Sequence, residues 1–208
     1  VLRAGEPWKA NIAQCLAIAA RAQDLAGTAI IVTNPSPIRW GGSENKTDEQ
    51  LKVQSEALDL LGKRLAAMGL TLAYHNHDAE LRQAAREFHH MLAGTNPAHV
   101  SFCLDAHWIY RGAGDSNVAL FDVVKLYGER IVELHLRQSK GGVWTEVFGP
   151  GDSDYPRLFR ILQRASLRPH IVLEQAVEKD SPHKMKAADA QRASREYAVK
   201  LLSDNYAS

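Results

Sequence analysis

The feature that most constrains the fold of this sequence is a regular alternation of short apolar segments with amphipathic ones. Five short apolar segments, of which residues 29–32 are rich in β-branched side chains, are each followed by a stretch with the 3-to-4-residue spacing of a helix that buries one face. This alternation predicts parallel strands with helices outside them, because parallel neighbours need a helical crossover. No hairpin is expected anywhere in the chain. Five such units fit either an open doubly wound sheet or part of an eight-stranded barrel.

The predicted elements follow one another without a linker. A first helix is expected at residues 8–25, and Thr47 with Gln50 forms a capping box that starts the second. The predicted strands are residues 29–32, 70–74, 100–104, 131–136 and 171–173. The helices expected after them are residues 47–68, 80–92, 117–127, 155–165 and 186–202. We therefore expect a single domain over residues 1–208.

Composition excludes several functional classes. Of the 208 residues, 45% are hydrophobic and 24% charged, as in an ordinary globular domain. The 25 Lys and Arg against 24 Asp and Glu leave a net charge of +1, so no basic field is available for a nucleic-acid backbone. No apolar run approaches the roughly 20 residues of a membrane helix. We expect neither nucleic acid nor a membrane as a partner, and we interpret Cys15 and Cys103 as core residues.

Residues that carry chemistry follow four successive predicted strands at their carboxyl ends, where parallel α/β proteins place their sites. The second strand runs into Tyr74-His75-Asn76-His77, the third into Asp105, the fourth contains His135 and the fifth runs into Glu174. Imidazole and carboxylate groups that converge in this way suit Mn²⁺, Co²⁺, Zn²⁺ or Mg²⁺, although imidazole disfavours a pure Mg²⁺ site.

Each of these residues also has a purely structural interpretation. His135 can be a core histidine, Glu174 can pair with an arginine, and Asp105 can cap the next helical turn. Five further histidines are interpreted as solvated or packing residues: His89, His90, His99, His170 and His183. A histidine, an aspartate, a histidine and a glutamate recur at the carboxyl ends of four successive predicted strands, and this recurrence favours a joint metal site.

Taken in order, these segments resemble the xylose isomerase-like TIM-barrel superfamily of sugar phosphate isomerases and epimerases. The resemblance is carried by Tyr74-His75-Asn76-His77 with Glu80, Leu104-Asp105 with Trp108, Gly112-Ala113-Gly114-Asp115, Val132-Glu133-Leu134-His135, Phe148-Gly149-Pro150-Gly151-Asp152 and Ile171-Val172-Leu173-Glu174. It implies a partial (β/α) TIM barrel of about five βα units, the C-terminal part of the barrel, with the first three units missing. The open edges of such a partial barrel leave room for a homo-oligomer.

The resemblance further implies one divalent metal, with Mn favoured. The implied ligands are Glu80, Asp105, His135 and Glu174. The first ligand stays open between Glu80 and His75, because many members carry a glutamate where this chain has His75. Many relatives also read His-x-Lys-Asp where this chain has His135-Leu136-Arg137-Gln138, so the last carboxylate of that motif is lost here.

The function implied by the resemblance is an isomerase or epimerase of a keto-sugar or related polyol, acting through an enediolate in the cytoplasm. Proton transfer is assigned to Glu174, with His75 or His77 as its acid/base partner. The implied substrate-binding residues are Trp108 as an apolar wall and Arg137 or Arg111 as the holder of a hydroxyl or anionic group.

Three other functions remain open at this point. A metal-dependent lyase or dehydratase of the same fold, of the inosose or 3-keto-glycoside type, shares the enediolate and then loses a β-hydroxyl. An endonuclease of the same fold needs more metal ligands and a basic groove, which the net charge of +1 argues against. An inactive barrel fragment that acts as a binding module predicts no metal uptake.

Overall fold

The structure is a computed structural model that describes residues 8–25, 27–175, 177–178 and 180–206. The chain divides into two compact units, and the division falls between Cys103 and Leu104. Each unit alternates parallel strands with helices. None of the described helices is long and apolar enough to cross a membrane.

The described residues of the first unit form three α-helices, one 3-10 turn and three parallel strands. Its elements are α1 (Trp8–Gln23), β1 (Ile30–Thr33), α2 (Asp48–Ala66), β2 (Thr71–His75), α3 (Arg82–Ala93) and the greater part of β3 (Val100–Asp105). Strand β2 pairs in parallel with β1 on one side and with β3 on the other. His75, the last residue of β2, lies in register with Cys103.

The predicted capping box at the start of α2 is present. The Thr47 hydroxyl accepts the Gln50 N–H at 3.2 Å, and the Gln50 side-chain oxygen accepts the Thr47 N–H at 2.9 Å. The two bonds satisfy N–H groups that would otherwise lack partners in the first turn. The helix then buries one face, which includes Leu51, Leu58 and Leu65.

The segment before α3 departs from the prediction of one continuous helix over residues 80–92. A 3-10 turn at Ala79–Leu81 comes first. Gln83, Ala84 and Ala85 then adopt left-handed φ angles of 53°, 57° and 57° before the right-handed helix continues. Left-handed backbone is costly for residues other than glycine, and the apolar periodicity of the sequence carries no signal for it.

The second unit contains the remaining elements. They are α4 (Ala106–Gly112), α5 (Asn117–Tyr127), β4 (Ile131–Leu136), β5 (Ser139–Lys140), β6 (Val143–Trp144), α6 (Tyr155–Arg164), β7 (His170–Leu173) and α7 (Ala187–Tyr206). Strands β4 and β7 pair in parallel, with Glu133 opposite His170 and His135 opposite Val172. Phe148 packs edge-on against Tyr155 and Tyr197 and so joins α6 and α7 to the core.

The expectation that the chain contains no hairpin is wrong. Strands β5 and β6 are antiparallel and are joined by Gly141-Gly142, whose φ angles of 62° and 80° fit a two-residue turn. Asp152 fixes this hairpin, because its carboxylate accepts the N–H groups of Gly141 at 2.8 Å and Gly142 at 2.9 Å. Two-residue strands are too short to show an alternating pattern, so only the turn was visible in the sequence.

Candidate metal centre

Three side chains that can bind a metal converge in the second unit. Asp105 ends β3, His135 lies near the end of β4 and Glu174 directly follows β7. One ligand atom from each lies within 4.8 Å of the other two. Glu174 extends the strand ladder, because its N–H donates to the carbonyl of Leu136 at 3.2 Å. Two carboxylates and an imidazole form a donor set that fits a divalent transition metal.

The imidazole of His135 lies between two carboxylates. Its Nδ1 is 2.7 Å from Oε2 of Glu174, and its Nε2 is 2.7 Å from Oε1 of Glu133. His135 is therefore not a merely apolar core residue, which was one of the two interpretations from sequence. Sequence reasoning missed Glu133, although its spacing of two residues from His135 on one strand placed both on the same face.

Asp105 also fulfils the structural role that the sequence left open. Its Oδ1 accepts the backbone N–H of Trp108 at 2.9 Å and caps α4. The cap holds the carboxylate in a fixed orientation at the end of the strand. The cap needs one carboxylate oxygen and a metal needs one, so the two roles are compatible.

Glu80 lies in the first unit, on the 3-10 turn that follows β2, and is buried. Its Oε2 accepts the backbone N–H of His77 at 2.9 Å. Burial and, to a smaller extent, the nearby charge of Glu87 raise the pKa of the Glu80 carboxyl to about 7. Near neutral pH a substantial fraction of this group is protonated, which is unfavourable for a metal ligand.

The His-Asn-His segment of the first unit forms a small aromatic cluster. The rings of His75 and His77 pack edge-on with centroids 4.8 Å apart, and Trp40 packs on His77 at 5.1 Å. His75 is buried and His77 is half-buried. The sequence predicted both histidines as acid/base candidates, and Trp40 was not expected beside them.

Arg137 is buried between two tryptophans in the second unit. Its guanidinium carbon lies 5.1 Å from the ring centroid of Trp108 and 4.6 Å from that of Trp144. Its Nη2 donates to Oε1 of Glu178 at 2.6 Å. Stacking on aromatic faces stabilises a desolvated guanidinium. Trp108 and Arg137 were predicted to bind substrate, whereas Trp144 and Glu178 were missed because they lie outside the motifs.

His107 lies in the same region and is neutral. Its Nδ1 is 3.0 Å from the Ser153 hydroxyl, and its ring packs edge-on against Trp144 at 4.5 Å. Burial and, to a smaller extent, the positive charges of Arg111 and Arg137 lower the pKa of His107 to about 3. Arg111 itself pairs with Asp115 at 2.9 Å.

Gln138 occupies the position at which the family resemblance implies an aspartate. Its amide nitrogen donates to the carbonyls of Ser153 at 3.1 Å and Gly149 at 3.3 Å. Its amide oxygen accepts the N–H groups of Ser139 at 3.0 Å and Ser153 at 3.1 Å. A carboxylate cannot donate to the two carbonyls, so glutamine at this position stabilises the loop after β6.

The five histidines outside the proposed site and its neighbourhood contact side chains of the fold or are exposed. His90 on α3 lies 3.2 Å from the Ser55 hydroxyl, and Nδ1 of His99 lies 2.9 Å from a carboxylate oxygen of Asp59. His89 packs edge-on against Phe88, while His170 and His183 are exposed.

A model of one protein family, the xylose isomerase-like TIM barrel, matches residues 3–197. The chain belongs to this family. Its described strands and helices are those of a partial TIM barrel, with parallel strands and outer helices, as the sequence predicted.

Two curated relatives are inosose dehydratases. The protein from Bacillus velezensis is 25% identical over 147 residues, which cover 62% of this chain and 48% of the relative. The protein from Bacillus licheniformis is 29% identical over 94 residues, which cover 45% of this chain and 30% of the relative. The matches thus span about half or less of these dehydratases.

Solved structures with the same fold include proteins named as a sugar phosphate isomerase/epimerase and an L-ribulose 3-epimerase. A sugar phosphate isomerase/epimerase from Parabacteroides distasonis has a TM-score of 0.72 at 19% identity. The match covers 96% of this chain and 68% of the Parabacteroides chain. An L-ribulose 3-epimerase has a TM-score of 0.70 at 15% identity, and the match covers 93% of this chain and 67% of the epimerase chain. The IolI protein with a bound zinc atom has a TM-score of 0.73 at 16% identity, and the match covers 100% of this chain and 75% of the IolI chain. At these identities the likeness concerns the fold.

Proposed function

We propose that this chain carries the metal site of an isomerase or epimerase that acts on a keto-sugar or related polyol through an enediolate. The convergence of Asp105, His135 and Glu174 within 4.8 Å is the observation that carries the proposal. When bound there, a divalent ion, with Mn²⁺ preferred over Co²⁺, Zn²⁺ and Mg²⁺, would polarise the substrate carbonyl and stabilise the enediolate charge.

For the first ligand, which the sequence left open, we favour His75 over Glu80. His75 is the last residue of β2, just as Asp105 is the last residue of β3. Glu80 lies five residues further on, is bonded to the backbone of His77, and has a pKa raised to about 7 by burial. With His75 as a ligand, His77 becomes the acid/base partner.

Glu174 is the base in this proposal. Its side chain is 41% exposed, whereas the side chain of His135 is 11% exposed. A carboxylate has two oxygens, so Glu174 can serve as a ligand through one and face the substrate C–H through the other. Return of the proton to the opposite face of the same carbon gives epimerisation, and its transfer to the neighbouring carbon gives isomerisation.

Arg137 is the better candidate of the two arginines for holding a hydroxyl or anionic group of the substrate. Both arginines pair with a carboxylate, Arg137 with Glu178 at 2.6 Å and Arg111 with Asp115 at 2.9 Å. Arg137 is in addition fixed between Trp108 and Trp144. A guanidinium with fixed orientation loses little side-chain entropy when it binds an oxygen. The two tryptophans provide the apolar surface on which a sugar ring can pack.

Hydrogen exchange into candidate substrates tests the proposal. The chain, loaded with Mn²⁺, is incubated in D₂O with a panel of keto-sugars and inososes, and deuterium next to the carbonyl is measured by NMR. We expect exchange with at least one substrate and a loss of roughly 100-fold or more in Glu174→Gln. The surface variant Glu129→Gln is the control and should exchange at the wild-type rate. Failure of the loaded wild type to exchange hydrogen with any substrate would contradict the proposal.

A dehydratase is the second candidate, and the two curated inosose dehydratases favour it. The same enediolate expels a β-hydroxyl instead of being reprotonated, so the first half of the reaction is unchanged. Mass spectrometry of the products from the same incubation separates the candidates, because only the dehydratase yields a product that has lost water.

A further inference from the structure

We propose that Glu133 is a positioning residue, which holds the imidazole of His135 in the orientation and tautomer that a metal ligand needs. Nε2 of His135 lies 2.7 Å from Oε1 of Glu133, within hydrogen-bond distance. The inference rests on the proposed function in one respect, namely that His135 is a ligand. The contact between the two side chains stands without it.

The contact between Glu133 and His135 follows from the geometry of β4. Glu133 and His135 are two residues apart on one strand, so their side chains project from the same face. Both side chains are largely shielded from water, with 13% of Glu133 and 11% of His135 exposed. A hydrogen bond to a carboxylate is stronger in such a shielded setting than on an exposed surface.

In the proposal this contact selects the nitrogen of His135 that binds the metal, because each ring nitrogen faces one carboxylate at 2.7 Å. A neutral imidazole carries one N–H and one lone pair, and the partner of the N–H selects the tautomer. If the Nε2–H donates to Glu133, the lone pair is on Nδ1, the nitrogen 2.7 Å from Glu174. Metal-binding histidines almost always donate their other N–H to a carboxylate, a carbonyl or water, and this contact raises their basicity.

A purely structural role explains Glu133 less well. Glutamate is disfavoured in strands, and partial burial of its charge costs free energy unless a donor compensates. Its register partner across the sheet, His170, is exposed at the start of β7. A short contact of Glu133, at 2.7 Å, is with the ring of His135, so at least this interaction lies at the proposed ligand.

The test compares Glu133→Leu and Glu133→Gln with the wild type. The matched control is Glu129→Leu, at an exposed position on the 3-10 turn Gly128–Arg130 that precedes β4. Calorimetric titration with Mn²⁺ and Co²⁺ gives the metal affinity, and ¹⁵N NMR of the histidine rings in metal-free protein gives the tautomer. We expect Glu133→Leu to weaken binding by roughly 10- to 100-fold. Glu133→Gln should recover most of that loss, because its amide oxygen can still accept the N–H.

The NMR measurement keeps this inference separable from the proposed function. In wild-type protein we expect His135 to carry its proton on Nε2, and in Glu133→Leu to show a mixture of tautomers. Wild-type metal affinity in a Glu133→Leu variant that is folded by circular dichroism would overturn the inference. So would a wild-type ring whose only proton is on Nδ1. If the wild type bound neither ion, the proposed function would fail while the tautomer would still decide the role of Glu133.

Discussion

His107 and His135 are both buried histidines of the second unit, and they differ in the charges that surround them. Burial and the two arginines, Arg111 and Arg137, lower the pKa of His107 to about 3, so its ring is neutral and packs among aromatic residues. His135 instead lies between two carboxylates, each 2.7 Å from a ring nitrogen. A ring beside guanidinium groups repels a cation, and a ring between carboxylates attracts one. Neighbouring charge, more than burial, separates the packing histidine from the candidate ligand.

Substitution of each histidine by glutamine should give the largest difference between them. In His135→Gln we expect Mn²⁺ binding to weaken by more than roughly 100-fold, the upper end for residues that only support a ligand. In His107→Gln we expect the affinity to remain at the wild-type value. Calorimetric titration of both variants checks this, and equal losses in the two would remove the distinction that we draw.

The next prediction concerns His107 and the pH dependence of the free energy of unfolding. The pKa of His107 is lowered from 6.5 to about 3, so below pH 6.5 the unfolded chain binds a proton that the folded chain does not. This group therefore reduces stability as pH falls, by about 1.4 kcal/mol per pH unit. Urea denaturation at pH 6.5 and 5 should show His107→Gln gaining stability relative to wild type at the lower pH. A constant difference between the two proteins would mean that His107 titrates normally.

Glu80 in the first unit should show the opposite slope. Its pKa is raised from 4.5 to about 7, so between these values the folded chain binds more protons than the unfolded chain. Stability therefore falls as pH rises through this range, in total by about 3 kcal/mol. Glu80→Gln should gain stability relative to wild type between pH 5 and 7.5 in the same denaturation experiment. A gain at the lower pH instead would show that Glu80 is ionised and favourably paired.

The smallest expected effect concerns the charge beside His107. Arg137 lowers the pKa of His107, so Arg137→Met, which keeps an unbranched side chain between the tryptophans, should raise that pKa while burial still holds it below 6.5. An NMR titration of the His107 ring checks the direction. A pKa that stayed the same or fell would show that Arg137 does not act on this ring.

Much of the fold could be predicted because long elements repeat a period. Strand β4 was predicted at the residues where it lies, and the capping box of α2 was visible in Thr47 and Gln50. The β5–β6 hairpin and the left-handed turn at residues 83–85 were missed, since neither is long enough to show a period.

The candidate site was predicted in part. Asp105, His135 and Glu174 could be selected because the carboxyl ends of parallel strands lie on one side and these residues lie at or next to those ends. Glu133 was missed because a glutamate within a strand looks like an ordinary solvent-facing position. Trp144 was missed because it lies in a hairpin that the sequence did not reveal.

The metal content of the purified chain tests the central claim most directly. Wild-type protein and Asp105→Ala/Glu174→Ala are reconstituted with Mn²⁺, Co²⁺ or Zn²⁺, dialysed, and analysed by elemental analysis. The account predicts about one ion per wild-type chain and none in the double variant, because the variant retains one of the three converging ligands. Equal metal content in the two proteins, or no metal in the reconstituted wild type, would contradict it.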